Sequence, residues 1–182
     1  MKKWHWALLA LFTVALLWGV STLIVARQGE SSTQAALPDE LRSVLDRSQK
    51  FELLALYPHT KEEGSDKWKA LRAAGKKEFH GFLIIDKSVI TDPAEKRNIL
   101  SALYKSMIEA QHNAGNIMCF EPRHGIRATW QNQTVDLVIC FHCHQFIAYK
   151  DGKRWGNDLP ITDSARADLD ESLNRAGIKN PY

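Results

Sequence analysis

Residues 126–150 read IRATWQNQTVDLVICFHCHQFIAYK, and this stretch decides the fold. Three apolar, β-branched runs, Ile126–Trp130, Thr134–Phe141 and Gln145–Tyr149, are separated by residues that favour turns. Gln131-Asn132-Gln133 forms the first break, and Asp151-Gly152 follows the last run. Runs joined this closely pair as antiparallel strands. Facing Trp130 with Val135 puts Ile126 opposite Ile139, Gly125 opposite Cys140 and His124 opposite Phe141, with Arg123 and Cys143 just beyond. In that register Cys119, Arg123, His124, Cys140 and Cys143 converge at one end of a sheet.

Outward from this core, helix and strand signals alternate. Pro38–Ser48 carries Leu41, Val44 and Leu45 at helical spacing, and Phe51–Tyr57 alternates as a strand ending at Pro58. Ser65 is placed to cap a short helix with Trp68 and Leu71 that stops at Gly75. Phe79–Ile90 reads as one buried strand, bent near Asp86-Lys87. The strongest helix begins at Pro93, with Asp92 as cap, Glu95 at capping-box spacing and Gly115 as stop. Its stripe is Ile99, Leu100, Leu103, Met107 and Ile108. A strand over Asn116–Phe120 and a final helix over Thr162–Ala176 complete the pattern. The expectation is an α+β fold, a small antiparallel sheet backed by helices.

Ahead of this domain, Trp6–Ala26 reads WALLALFTVALLWGVSTLIVA, with only small uncharged residues interrupting the apolar run. At about 1.5 Å per residue such a helix spans a hydrocarbon core of about 30 Å. Trp4 and Trp6 suit an interfacial belt. The run exceeds a cleaved signal peptide's usual apolar region, and Ile24-Val25-Ala26 before Arg27 makes a poor cleavage site. The division expected is a cytoplasmic tail (1–5), a transmembrane signal-anchor (6–26), a polar linker (27–37) and an exported domain (38–182). Lys2 and Lys3 favour the cytoplasmic side for the N-terminus, so the protein is single-pass with its domain extracytoplasmic, periplasmic in a Gram-negative cell. The alternative is secretion after cleavage.

Charge excludes other classes. The chain has 182 residues, with 24 Lys+Arg against 21 Asp+Glu, and without Lys2 and Lys3 the basic excess falls to one. Nucleic-acid binding needs clustered cations that are missing here. Three cysteines are too few for a disulfide scaffold. The partners expected are the membrane, through residues 6–26, and an unidentified protein or small molecule.

Chemistry concentrates in CFEPRHGIR (Cys119–Arg127) and CFHCH (Cys140–His144). The bland reading is buried cysteines, or a disulfide; Cys119 joined to either partner would contribute about 3 kcal/mol by loop closure. A metal reading takes Cys119, His124, Cys140 and Cys143 as a tetrahedral zinc centre, mainly structural. A haem reading uses Cys140, Cys143 and His144 as a C-x-x-C-H attachment site for haem c. A redox C-x-x-C lacks the following helix that would lower a thiol pKa. No catalytic residue is assigned, and the protein reads as a binding or structural module rather than an enzyme. Arg123 and Arg127 either bind an anion or pair with Asp136 and Glu121, and His59 and His80 carry no ligand spacing.

The segments CFEPRHGIR and VDLVICFHC (Val135–Cys143) resemble a motif pair of uncharacterised bacterial exported, membrane-anchored proteins. The likeness runs over about residues 51–150, including FELLALYP and EFHGFLII, and implies location without implying an activity. Arg123-His124-Gly125 also resembles the histidine-phosphatase signature, which implies a phosphorylated His and phosphate-holding Arg residues. Those enzymes carry it near the start of a much larger α/β fold, and no second His-bearing motif accompanies it here.

Overall fold

A computed structural model of the chain describes residues 37–59, 65–111 and 120–179. The anchor expected over 6–26, the linker as far as residue 36, the 116–119 strand segment, Gly115 and Cys119 lie outside these residues. Among the described residues no helix is long and apolar enough to cross a membrane.

Four α-helices and a curled antiparallel sheet make an α+β domain. In chain order the elements are α1 (Asp39–Arg47), β1 (Lys50–Leu56), α2 (Asp66–Ala73), β2 (Glu78–Phe79), β3 (Phe82–Val89), α3 (Pro93–Ala110), β4 (His124–Trp130), β5 (Gln133–Cys140), β6 (Gln145–Lys150), β7 (Lys153–Pro160) and α4 (Arg166–Arg175), the last entered through a 3₁₀ turn at Asp163–Ala165. The strand order is β2-β3-β1-β4-β5-β6-β7. The β4–β7 meander follows from short turns, while α3 carries the chain from β3 across β1 to β4.

Local signals account for the helix ends. Ser65 Oγ accepts from Trp68 N at 3.1 Å, and Asp92 Oδ1 accepts from Ala94 N at 2.8 Å with Pro93 in the first turn. Glu95 does not close a capping box. Its Oε1 instead accepts from Arg175 Nη2 at 2.9 Å, which ties α3 to α4.

Alternation then sorts each strand's side chains between two faces. The inner face (Phe51, Leu53, Ile126, Leu137, Ile139 and Phe146 among others) packs under Leu41 and Leu45 of α1, Leu103 and Met107 of α3, and Leu169 and Leu173 of α4 in one cluster. The outer face carries Leu54, Leu56 and Val138, covered by Phe79 and Phe82 of the β2–β3 hairpin with Phe120 packed against them.

Three expectations need correction. Phe79–Ile90 is not one strand: His80 (φ 50°) and Gly81 (φ 92°) make a two-residue turn, the positive-φ pair that suits a tight hairpin. The curl comes from that hairpin and from a bulge where Leu56 pairs with Ile84 after Ala55 pairs with Asp86. The polar segment Lys153–Pro160 forms an edge strand that the sequence pattern did not suggest. Finally, the β4–β5 turn holds only Gln131-Asn132, so Trp130 pairs with Gln133, Gly125 with Val138 and His124 with Ile139. The register therefore differs by two residues from the expected one. An even shift keeps every side chain on its face but changes its neighbours, and it sets Arg127 beside Asp136.

Candidate functional site

At the cysteine corner, Cys140 ends β5 and Cys143 lies in the following turn, joined by a disulfide; both are fully buried. Cys143 N donates to Cys140 Sγ at 3.1 Å, so the bridge and the turn form one closed unit. On the loop-closure model so short a ring contributes about 2 kcal/mol, less than a Cys119 bridge would. His144 is exposed in a left-handed conformation (φ 54°), and its carbonyl accepts from Ile161 N at 3.0 Å.

His124 stands on the opposite side of the sheet. It shares the inner face with Ile126 and its partner Ile139, whereas Cys140 follows Val138 on the outer face. The fully buried His124 ring meets Phe141 edge-on at 5.2 Å, and its Nε2 lies 2.9 Å from Asp170 Oδ1. Burial lowers the His124 pKa, and the Asp170 carboxylate only partly offsets this, so the ring is held neutral. A buried imidazole already bonded to a carboxylate is poorly placed to accept a phosphoryl group. Of the four expected zinc ligands the fold thus joins Cys140 to Cys143 and sets His124 on the other face, and Cys119 is outside the described residues. Among the described residues no cluster of three or more metal-ligating side chains forms.

The second constellation lies on the outer face. Cross-strand pairing aligns Val89 of β3, Glu52 of β1, Arg127 of β4, Asp136 of β5, Tyr149 of β6 and Arg154 of β7 in a single row. Arg127 grips Asp136 with two hydrogen bonds, Nε to Oδ1 at 2.8 Å and Nη2 to Oδ2 at 2.7 Å. His80, at the hairpin tip, reaches over the sheet to place Nε2 2.7 Å from Asp136 Oδ2. Its ring stacks on Tyr149, with centroids 3.5 Å apart and planes 12° from parallel. Glu52 receives Lys87 Nζ at 2.6 Å on Oε1 and Lys50 Nζ at 3.1 Å on Oε2.

Gly125 makes this closure possible. A Cβ there would stand 2.9 Å from Phe79 Cε1, so only glycine lets the Phe79 ring lie on β4 and bring His80 to Asp136. The Arg127 guanidinium also sits 5.1 Å from the Phe79 ring centroid.

Charge is layered in this row. Glu52 and Asp136 are 4% and 2% exposed, whereas Lys50, Lys87 and Arg127 are 55%, 50% and 42% exposed. Burial pushes the Asp136 pKa up, but hydrogen bonds from Arg127 and then His80 outweigh it and hold the carboxyl below its usual value. The same opposition, with Lys87 ahead of Lys50, lowers Glu52. Bonding to Asp136 in turn raises Arg127. Both carboxylates stay ionised beneath a layer of cations. Above them runs an open groove of 470 Å³, lined in addition by Thr129, Thr134 and the β6–β7 turn at Asp151-Gly152.

Sequence reasoning reached Arg127 and Asp136 as one of two options but passed over Glu52, Lys87 and His80. The available signal was a charge set inside an apolar run, as in FELLAL and VDLVIC, where an ion needs a partner. No protein-family model, no curated protein and no solved structure matches the chain.

Proposed function

We propose that this chain is a membrane-anchored, extracytoplasmic binding module. Residues 6–26 hold it in the bilayer, 27–36 tether it, Leu37 already packs in the core of the head, and the α+β head presents its open sheet face to a ligand. The observation that carries the binding role is the outer row, two sunken carboxylates organising three exposed cations under an open groove. Burying an ionised carboxylate costs several kcal/mol before its partners compensate, and apolar side chains would fill such positions at no such cost. A row of this kind suits recognition better than folding. The Cys140–Cys143 bridge supports an oxidising compartment. It also argues against zinc at Cys119, His124, Cys140 and Cys143 and against haem at Cys140, Cys143 and His144, since both require the two sulfurs apart.

The test is thiol counting on the denatured full chain, with zinc analysis, an absorption spectrum and external protease on intact cells. One thiol before reduction and three after, no zinc, no Soret band and loss of the head to protease is the expected result. About one equivalent of zinc with three thiols returns the metal reading. A head reached only after permeabilisation overturns the extracytoplasmic placement, and a mature N-terminus beyond residue 26 replaces anchoring with secretion.

A further inference from the structure

We infer that the outer-face groove binds a phosphate group, with Lys50, Lys87 and Arg127 as its cations and the Thr129 and Thr134 hydroxyls as added donors. The inference rests on the reading of the head as a binding module and names the chemistry of its ligand. Three features point to an oxyanion.

First, the charge is layered: a ligand entering the groove meets ammonium and guanidinium groups, while Glu52 and Asp136 lie beneath them. Second, the cations are oriented in advance. Arg127 uses Nε and Nη2 on Asp136, which fixes the guanidinium plane and leaves the N–H groups of Nη1 for a ligand. Lys87 commits one hydrogen bond and Lys50 an ion pair to Glu52, so each keeps at least two donors. Third, the donors come from several strands and converge on one groove, Lys50 from β1, Lys87 from β3, Arg127 and Thr129 from β4 and Thr134 from β5. Cations and hydroxyls around a common point suit a tetrahedral dianion with four acceptor oxygens better than a planar monoanion. Asp151, at the rim, disfavours ligands that bring a second anionic group to that side. A monoester is therefore favoured over a polyanion.

The ester could be soluble or a lipid headgroup, and the shared chemistry is the terminal phosphate. The test is equilibrium dialysis of the full chain in neutral detergent against orthophosphate, glycerol phosphate, dihexanoyl phosphatidic acid and acetate. Saturable binding of orthophosphate and glycerol phosphate, with acetate at least about tenfold weaker, is expected from the doubled charge and donor count. Lys87→Gln and Lys50→Gln should each weaken phosphate about tenfold or more, the value of one charge-assisted hydrogen bond. Lys105→Gln, on α3, should not. Because a lysine variant could disturb Glu52, Thr134→Val serves as a near-isosteric second probe and should weaken phosphate with the thermal midpoint unchanged. Similar affinities for glycerol phosphate and dihexanoyl phosphatidic acid assign a soluble ester, and a gain of about tenfold for the lipid assigns a headgroup. No saturable phosphate binding, equal binding of acetate, or lysine and Thr134 variants that bind like the unmodified chain overturns the inference. Thiol count and protease accessibility would stand unaffected by that failure, so the module reading fails separately.

Discussion

The two faces of the sheet solve opposite problems. The inner face buries leucine, isoleucine and phenylalanine under three helices, and its polar His124 is kept neutral. The outer face carries charge through a network in which each buried carboxylate has at least two cationic or imidazole partners. Both faces belong to the same strands, so alternate positions such as Val135, Asp136 and Leu137 serve different ends within three residues. Apolar burial is non-directional and scales with area, whereas an ionic row depends on every partner being present. The inner face should tolerate exchanges that conserve volume, and the ion-paired residues of the outer row only changes made in pairs.

The largest effect should come from the inner face. Phe146→Ala opens a cavity beneath the helices and should lower unfolding free energy by about 4 kcal/mol, independent of salt, in urea titration of the full chain in detergent. A salt-dependent loss would show that the faces are not energetically separate. Gly125→Ala should cost about 2 kcal/mol, because the added methyl displaces Phe79 from β4. Its signature is specific: the His80 ring should leave Tyr149, read as a change in His80 ring shifts by NMR, while inner-face methyl signals stay in place.

Acid should separate the faces more gently. Glu52 and Asp136 have folded pKa values below their unfolded ones. Their stabilisation is therefore complete above about pH 4, the unfolded carboxylate range, and is lost as pH falls through the depressed folded values. His124 also has a lowered pKa, so an unfolded chain takes up its proton first and stability declines as pH drops below about 6.5. Thermal midpoints should fall in two steps. Asp136→Leu combined with Arg127→Met should blunt the lower step and spare the upper one, and blunting of both would contradict the division.

Much of the inner face was legible in the sequence, because helices announce themselves through caps and 3.6-residue periodicity. Ser65, Asp92 and Pro93 stand where their chemistry requires. The outer face was less legible, for reasons of geometry. His80-Gly81 interrupts an apolar run without the usual turn composition around it, so the hairpin that covers the face read as a straight strand. Lys153–Pro160 buries little beyond parts of Trp155 and Leu159, too few apolar positions to leave an alternation to detect. The row itself depends on register, and a turn shorter by two residues decides whether Arg127 meets Asp136 or Val138. A disulfide among the three cysteines was one of the open readings, but strand parity did not single out Cys140 and Cys143 as the pair. Two residues of opposite strand parity meet only because the chain turns between them.

The central claim is that the outer row exists for recognition and not for folding. The most direct test is a double-mutant cycle of Arg127→Met and Asp136→Leu in the full chain, followed by urea unfolding and by orthophosphate binding. Arg127→Met alone leaves the buried Asp136 carboxylate with His80 as its remaining partner and should cost about 3 kcal/mol, whereas the double variant should lie within about 1 kcal/mol of the unmodified protein. That restored chain should bind phosphate at least about tenfold more weakly. A double variant that is as unstable as the sum of its singles, or one that keeps full phosphate affinity, would contradict the account.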